Sequence, residues 1–380
     1  MDSPISYARI RVTLGSLQAI VASSTWQLIV LRSGRFVAQP LMKHTLLPWL
    51  ACPTCHAALK EETRVERDGE IEEGSLLCGG CGAVFPITEG IPRFVASDEY
   101  ASSFGHQWNR YAELQLDSRN GTRFSEERFR SITEWTREDL CGKLVLDVGC
   151  GSGRFAEIAL ADGAEVIALD LSRAVDACRR NLRAHPKLHV IQASIYDLPF
   201  RDGLFDVVYS IGVIQHTPDP HQAVQRIAAK VALNGRIGLW IYELSWKALV
   251  GTVGFKYLLR PMTRRCSIST IERWAAFLER LCRPITRWGR RHGLLGKIAM
   301  RMLPVSCAHL QSIPLSETDF QEWVRLDTFD MYSPAHDHPQ TFRRVRGWLV
   351  DAGFRPDPRH PHGGISITAT RLGERAVENP

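Results

Sequence analysis

The sequence predicts an α/β fold in which helices cover both faces of a parallel sheet, and three observations lead to it. The apolar stretch 144–148 is typical of a buried strand, and it runs into a glycine-rich loop that opens a helix predicted over 154–160. A second apolar stretch, 164–169, follows that helix and ends at Asp170. Strands and helices then keep alternating along the chain, which favours crossover connections between parallel strands.

The later elements of this domain follow the same alternation. Apolar periodicity predicts a helix over 222–231, then a turn at Asn234-Gly235 and a fifth strand over 236–242. Near the end of the chain, a helix ending at Ala352 precedes a final strand over 365–370.

The glycine loop carries the first chemical signal. Gly149, Gly151 and Gly153 leave no Cβ where the backbone must turn sharply and touch a ligand. The N–H groups at the start of the next helix are free to bind a group above the strand end. Asp170 lies 19 residues after Gly151, about where a doubly wound fold places the carboxylate that binds a ribose. We therefore expect a nucleoside-containing cofactor at this edge of the sheet.

The pattern G-x-G-x-G preceded by Asp147 resembles motif I of the class I S-adenosylmethionine-dependent methyltransferases, type 11, which include quinone-biosynthesis enzymes. The stretch 190–200 resembles the third strand and adenine-side loop of that family, and 205–220 resembles its fourth strand and the loop over the methyl group. The resemblance implies a Rossmann-like, seven-stranded doubly wound domain that binds S-adenosylmethionine. The cofactor-binding residues that it implies are Asp147, Gly149, Gly151, Gly153, Asp170, Ser194, Ile195 and Ser210.

One departure from the family pattern concerns the adenine. Many relatives carry Gly-Asp where this chain has Ala193-Ser194. The usual acidic contact to the adenine amino group is therefore either absent or provided by Asp197.

Two C-x-x-C pairs lie upstream, Cys52 with Cys55 and Cys78 with Cys81. Four thiolates on two tight turns form the tetrahedral sulfur site that Zn²⁺ prefers, whereas a redox dithiol is the alternative. With the stretch 85–94, these pairs resemble the zinc-ribbon protein that activates several eukaryotic tRNA and release-factor methyltransferases, here fused to its methyltransferase. Such a Zn²⁺ is structural, and it would hold together a segment of about 50 residues that is too small to stabilise itself by burial.

The sequence also predicts a domain organisation. Residues 12–31 lack charge but contain too many polar side chains for a convincing membrane span or signal peptide. Scattered thiols and the zinc site favour a reducing cytoplasm. The predicted segments are a poorly ordered or mis-annotated extension (1–41), the zinc ribbon (42–97), leading helices covering the cofactor site (98–140), the methyltransferase domain (141–244 and 324–372), a basic helical insertion after the fifth strand (245–323) and a tail (373–380).

The insertion is strongly basic, because residues 246–303 contain 13 Lys or Arg and two Glu. An apolar stripe recurs within it at spacings of three and four, with Pro284 expected to kink the helix. Three interpretations stay open: a helical cap, a membrane-surface or lipid-substrate platform, and a phosphate-binding face for nucleic acid. The stripe consists of Ile271, Trp274, Leu278, Leu281, Ile285 and Trp288.

The predicted function is methyl transfer from S-adenosylmethionine to a small-molecule, glycan or lipid acceptor by in-line displacement. His216 follows the fourth strand, where it would act either as a general base or as a residue that shapes the loop. A polar loop, 327–341, is expected to line the acceptor pocket, to bind a metal or to form a hydrogen-bonded surface. The alternatives are a tRNA, rRNA or protein methyltransferase that binds its substrate through the zinc ribbon and insertion, and a non-catalytic binding module on the same fold.

Overall fold

The computed structural model describes residues 17–20, 29–32, 41–96, 99–182, 185–244, 252–359 and 363–373. The chain divides into two compact units, 1–38 and 39–380. In the first, two four-residue strands pair antiparallel, Leu17 opposite Arg32. The rest of the predicted extension and most of the predicted tail lie outside the described residues.

The strands and helices are numbered here in chain order. The strands are β1 (Leu17–Ile20), β2 (Ile29–Arg32), β3 (Leu59–Arg67), β4 (Glu70–Cys78), β5 (Val84–Thr88), β6 (Ile91–Pro92), β7 (Leu144–Val148), β8 (Glu165–Asp170), β9 (Leu188–Gln192), β10 (Phe205–Ile211), β11 (Val231–Ile241), β12 (Phe354–Pro356) and β13 (Ile365–Arg371). The α-helices are α1 (Ser102–Arg110), α2 (Asp117–Asn120), α3 (Phe124–Thr133), α4 (Arg137–Leu140), α5 (Ala156–Ala161), α6 (Ala174–Leu182), α7 (Pro220–Lys230), α8 (Thr252–Thr263), α9 (Ile268–Arg291), α10 (Gly293–Arg301), α11 (Glu317–Tyr332) and α12 (Phe342–Asp351).

The predicted seven-stranded sheet is confirmed, with the strand order β12-β13-β11-β10-β7-β8-β9. The five strands from β11 to β9 are parallel, and β13 runs antiparallel to both of its neighbours. The chain leaves β7 toward β8 and β9 on one side, and later returns to place β10 on the other side. This reversal beside β7 is a topological switch point, where doubly wound folds bind their ligands.

The predicted Asn234-Gly235 turn is wrong as a strand boundary, because both residues lie inside β11. The pairing with β10 continues on either side of them, from Val231 opposite Phe205 to Arg236 opposite Val207. Asn234 has a φ of 61°, a left-handed conformation that asparagine tolerates. The extra residues therefore form an irregularity within one strand rather than a turn before it.

The four-stranded antiparallel sheet β3–β6 forms a small domain that shares its core with the large sheet. Leu46 and Leu50 are buried in the same cluster as Ile191 and Phe200. Backbone hydrogen bonds cross the boundary, since the Phe94 N–H donates to the Gln192 carbonyl (2.8 Å) and the Ala51 N–H donates to the Pro199 carbonyl (2.9 Å). The guanidinium of Arg93 also bonds to Gln192 (2.7 Å) and Asp176 (2.8 Å). The small domain is thus attached along β9, the edge of the large sheet.

A helical subdomain follows β11, although residues 245–251 of the predicted insertion lie outside the described residues. Helices α8–α11 surround an apolar cluster that includes Leu278, Met300 and Trp323. The boundary predicted between 323 and 324 falls inside α11, and α11 belongs to this cluster as far as Tyr332. The predicted loop 327–341 likewise begins as the last six residues of α11, because burial of its aromatic side chains favours helix there.

The apolar stripe predicted on the insertion splits into two faces of α9. Ile271 and Leu278 are buried in the subdomain core. Trp274, Leu281, Ile285 and Trp288 are instead exposed, by 38%, 62%, 43% and 44%. Helix α9 runs without a break through Pro284. Among the described helices, none combines the length and apolarity required to cross a bilayer.

Candidate functional site

A cavity of about 920 Å³ lies outside the carboxyl ends of β7 and β10, at the switch point of the sheet. One end is formed by the glycine loop, the end of β8 and the loop after β9. The other end is formed by the turn after β10, the end of β11 and the helical subdomain. Helices α1 and α3 close the cavity from above. It is thus large enough for a nucleoside cofactor and a second molecule side by side.

At each glycine of the loop, a neighbouring side chain occupies the space where a Cβ would lie. The backbone of the loop therefore packs closely against these side chains. Gly149, at a φ of 83°, would place a Cβ 2.3 Å from a methyl group of Val213. At Gly151, a Cβ would lie 3.1 Å from the indole nitrogen of Trp108, so this ring from α1 covers the loop. Gly153 packs against Leu182 of α6 and does not line the cavity.

Asp170 is held in one orientation by three donors. Its carboxylate accepts hydrogen bonds from the Gly151 N–H (3.0 Å), the Ser172 N–H (2.8 Å) and the Ser172 hydroxyl (2.7 Å). Burial raises the pKa of this carboxyl, and the hydrogen bonds from Ser172 and Gly151 oppose the rise. Asp170 also lines the cavity, so the lone pair that stays free on Oδ2 suits a ribose hydroxyl group.

Asp147 lies beneath the loop and does not line the cavity. Its side chain is almost fully buried, with the Tyr209 phenol beside it. Burial raises the pKa of Asp147 to about 8. The carboxyl group is therefore mostly protonated at neutral pH, which suits a buried hydrogen-bond donor better than a charge.

The other three predicted cofactor residues differ in their positions. Ile195 lines the cavity beside Ala193. Ser194 accepts a hydrogen bond from the Tyr196 N–H and does not line the cavity. The Ser210 hydroxyl is fully buried and donates to the Val148 carbonyl (2.9 Å), which links β10 to β7 beneath the site.

Two arginines face the middle of the cavity. The Arg128 guanidinium lies 4.4 Å from the ring centre of Trp240, and it forms no ion pair with any described residue. Arg154 donates to Ser125 (2.8 Å) and Gln115 (2.9 Å), while its buried Nη2 has no partner among the described residues. Burial, with repulsion from Arg128, lowers the pKa of Arg154 to about 9. These cations suit the carboxylate of the amino-acid part of S-adenosylmethionine.

His216 lines the far end of the cavity. Its Nδ1 donates to the His336 carbonyl (3.0 Å), because a carbonyl only accepts, and Nε2 is therefore the acceptor nitrogen. Burial, with repulsion from Lys256, lowers the pKa of His216 to about 4. The ring is therefore neutral at physiological pH and is a weak base.

A polar wall stands beside His216. The Tyr242 ring contacts it edge-on at 5.3 Å between ring centres, and Lys256 pairs with Asp337 (2.8 Å) where both side chains are buried. Asp330 accepts a hydrogen bond from Gln107 (3.1 Å) and lines the cavity. Burial raises the pKa of Asp330 to about 6, so it is ionised at neutral pH and is a stronger base than His216.

The four cysteines of the small domain come together. All four Sγ atoms lie within 4.8 Å of one another, with Cys52 to Cys81 at 3.6 Å and Cys55 to Cys78 at 3.3 Å. A tetrahedral site with Zn–S bonds of 2.3 Å requires Sγ separations of about 3.8 Å, so the cluster fits Zn²⁺ closely. Within the part of the chain that the structure describes, no other group of three His, Cys, Asp or Glu residues has this geometry. The metal alternative for 327–341 therefore has no support.

Comparison with known proteins agrees with this geometry. A family model described as "Methyltransferase domain" matches residues 146–239, and one described as "Trm112p-like protein" matches residues 43–90. Residues 146–239 are thus similar to a methyltransferase domain, and residues 43–90 are similar to a Trm112p-like protein. Both resemblances predicted from the sequence are confirmed.

The similar curated proteins match about a third of this chain. The chain is 31% identical over 143 residues to the ubiquinone biosynthesis O-methyltransferase of Pectobacterium atrosepticum, covering 33% of this chain and 54% of that protein. It is 37% identical over 123 residues to the enzyme of the same name from Vibrio campbellii, covering 31% and 52%. The chain thus spans about half the length of the curated relatives it matches.

Two solved structures are similar at low identity. One is a complex between the Haloferax volcanii Trm112 methyltransferase activator and a putative methyltransferase, with 15% identity, a TM-score of 0.37, and coverage of 73% of this chain and 100% of that one. The other is magnesium protoporphyrin IX methyltransferase from Synechocystis PCC 6803 with bound SAH, with 15% identity, a TM-score of 0.41, and coverage of 72% and 97%.

Several residues at the site of the methyltransferase domain were not predicted from the sequence. Helix α1 contributes Phe104, Gln107 and Trp108 to the cavity wall. The spacing of the two aromatic residues was visible in the sequence, but such spacing does not distinguish residues that line a site from residues that pack in a core. Arg128 and Arg154 had no signal beyond their charge, since their positions depend on how α3 and α5 meet above the sheet.

Proposed function

We propose that the chain is an S-adenosylmethionine-dependent methyltransferase that acts on a small-molecule, glycan or lipid acceptor. One observation carries the proposal: a single cavity joins the glycine loop and Asp170 to the polar wall of His216 and Asp330. A cofactor bound at the first end would present its reactive group toward a molecule bound at the second. The apolar and aromatic side chains on the cavity wall favour a small organic acceptor.

The proposed roles follow from the positions of the side chains. S-adenosylmethionine, when bound, supplies a methyl group on a positively charged sulfur. Asp170 would hold the ribose, and Arg128 or Arg154 the carboxylate. Trp108 would shield the loop from water. The methyl group would pass to an acceptor lone pair and leave a neutral thioether, and this chain's residues would hold the acceptor and take up its proton.

Two groups at the far end of the cavity are candidates for the base, His216 and Asp330. His216, the predicted general base, presents a neutral Nε2 that is able to orient an acceptor hydroxyl. The ionised Asp330 has the higher proton affinity of the two, because its pKa is about 6 and that of His216 is about 4. We therefore propose that His216 positions the acceptor and that Asp330 receives the proton.

A tRNA, rRNA or protein acceptor is the second candidate. The unpaired arginines of the insertion favour it, since phosphate groups bind such side chains. The cavity argues against it, because Arg128 and Asp330 line a concave site of about 920 Å³ rather than an extended groove on the surface. A cytoplasmic location belongs to the same proposal and rests on the free thiols and the Cys₄ site.

Transfer of a radioactive methyl group tests the proposal. The full chain is incubated with labelled S-adenosylmethionine and with separate lipid, small-molecule, RNA and protein fractions of a cell extract, and Asp170→Ala is the inactive control. We expect label in the lipid or small-molecule fraction with the wild-type chain alone. Label confined to RNA or protein would establish the second candidate, and label in no fraction would favour the binding module.

A further inference from the structure

The helical subdomain exposes an unusually large number of apolar side chains on α8, α9 and α10. On the surface of soluble domains, exposed apolar side chains usually occur singly, whereas contiguous apolar patches mark interaction sites. We call this set the outer face. Its residues are Leu258, Met262, Trp274, Phe277, Leu281, Ile285, Trp288, Leu294, Leu295, Ile298 and Met302.

On α9 the outer face is a continuous stripe. At 100° per residue, the positions 274, 277, 281, 285 and 288 fall within an arc of about 80°. Next to this arc, on the side of Ile285, lie Ile271, Leu278 and Cys282, which are buried in the subdomain core. The helix therefore has two adjacent apolar faces, and the subdomain covers only one of them.

Helices α9 and α10 are in close contact, which leaves no space between them for the side chains of the outer face. A Cβ at Gly296 would lie 2.1 Å from the Gly289 carbonyl oxygen, and Met300 fills the remaining space. Gln311 donates to the carbonyls of both Gly289 (2.7 Å) and Gly293. This close crossing holds α10 against α9, so the exposed leucines and isoleucine of α10 belong to the same rigid pair of helices as the stripe.

Part of the positive charge on these helices has no acidic partner. Glu272 pairs with Arg110 (2.6 Å), Glu279 pairs with Arg283 (2.9 Å), and Glu317 of α11 pairs with Arg287 and Arg290. Several basic residues of the same helices and their connections form no ion pair with any described residue. They are Arg264, Arg265, Arg280, Arg291 and Lys297.

We propose that the outer face docks on the surface of a lipid bilayer that contains anionic lipids. Leucine, isoleucine and tryptophan on one side of a helix insert at the acyl boundary, and arginines beside them bind acidic headgroups. Pairing of two outer faces between copies of the chain is disfavoured, because it would bring these arginines together without an acidic partner. An RNA alone would leave the apolar side chains unexplained.

The outer face also borders the mouth of the cavity. Tyr257 and Arg301 line the cavity and are exposed, and they precede Leu258 and Met302 of the outer face. Docking would therefore bring the cavity mouth close to the membrane, which suits an amphiphilic acceptor. This last step rests on the proposed function, whereas docking itself does not.

Co-sedimentation with vesicles tests the docking without any methyl transfer. The wild-type chain is mixed with vesicles of phosphatidylglycerol and phosphatidylcholine, and with vesicles of phosphatidylcholine alone. We expect binding to the acidic vesicles that falls at least tenfold in Trp274→Ser/Trp288→Ser and about fivefold for each of Arg264→Gln and Arg280→Gln. The matched control is Leu233→Ser, which changes an exposed leucine of β11 and should bind like wild type.

Three results would overturn the proposal: wild-type binding no stronger to acidic vesicles than to neutral ones, equal binding by the double tryptophan variant, or a dimer in sedimentation velocity that this variant abolishes. Calorimetric titration of each variant with S-adenosylhomocysteine shows whether the fold is intact. The same titration separates the two proposals. If the wild-type chain did not bind S-adenosylhomocysteine, the proposed methyltransferase activity would be refuted, and the result of the vesicle experiment would not be affected.

Discussion

Replacement of Asp170 by alanine should weaken binding of S-adenosylmethionine by about 2–3 kcal/mol. Three donors already orient the carboxylate, so a ribose hydroxyl would bind the remaining lone pair without loss of side-chain freedom. One hydrogen bond to a charged group contributes about 1.5–3 kcal/mol, and the variant also loses the contact that orients Gly151. The net loss corresponds to a dissociation constant about 30 to 150 times higher.

Calorimetric titration of the zinc-loaded full chain measures this change directly. Asp170→Asn retains one acceptor oxygen and should fall between the wild type and the alanine variant. Asp351→Ala is the control, because Asp351 is an exposed carboxylate at the end of α12 and does not line the cavity. A dissociation constant within about threefold of wild type for Asp170→Ala would refute the placement of the ribose.

Three further predictions concern other groups. Asp147→Asn should have a higher free energy of unfolding than wild type, and the difference should grow by about 1.4 kcal/mol for each pH unit from 4 to 8. The reason is that the folded wild-type chain keeps a proton on Asp147 that the unfolded chain releases above the ordinary pKa of aspartate. A pH-independent difference in urea denaturation would contradict this. Cys78→Ser should remove one Zn²⁺ per chain and lower the melting temperature, whereas Cys141→Ser, at an exposed thiol outside the cluster, should keep both, as elemental analysis and calorimetry would show. The imidazole of His216 should titrate near pH 4 in NMR spectra, and a midpoint above 6 would rule out its burial.

The sequence predicted the parts of the site that lie on single segments. The glycine loop and Asp170 each follow directly from a strand end, and both C-x-x-C pairs are local as well. The sheet order then brings Asp170 to the Gly151 N–H as expected for adjacent strands.

What the sequence did not predict depends on contacts between distant segments. The low pKa of His216 arises from the Lys256 charge and the burial around it, and its hydrogen bond reaches across 120 residues to His336. The stripe predicted on α9 proved to be one buried and one exposed face. Helical periodicity shows which residues lie on one side of a helix, but it does not show how much of that side the neighbouring helices cover. Asn234-Gly235 looked like a turn because local propensity did not include the pairing with β10.

The attachment of the Trm112p-like domain along β9 has a consequence for regulation. An interface between separate chains can be emptied by dilution or by competition from another partner, whereas here both halves belong to one polypeptide and their effective concentration is fixed by the short link at residues 95–101. Release of the small domain would expose the shared apolar residues around Leu50 and Phe200. Because they share one polypeptide, the two domains form a fixed one-to-one pair without an assembly step.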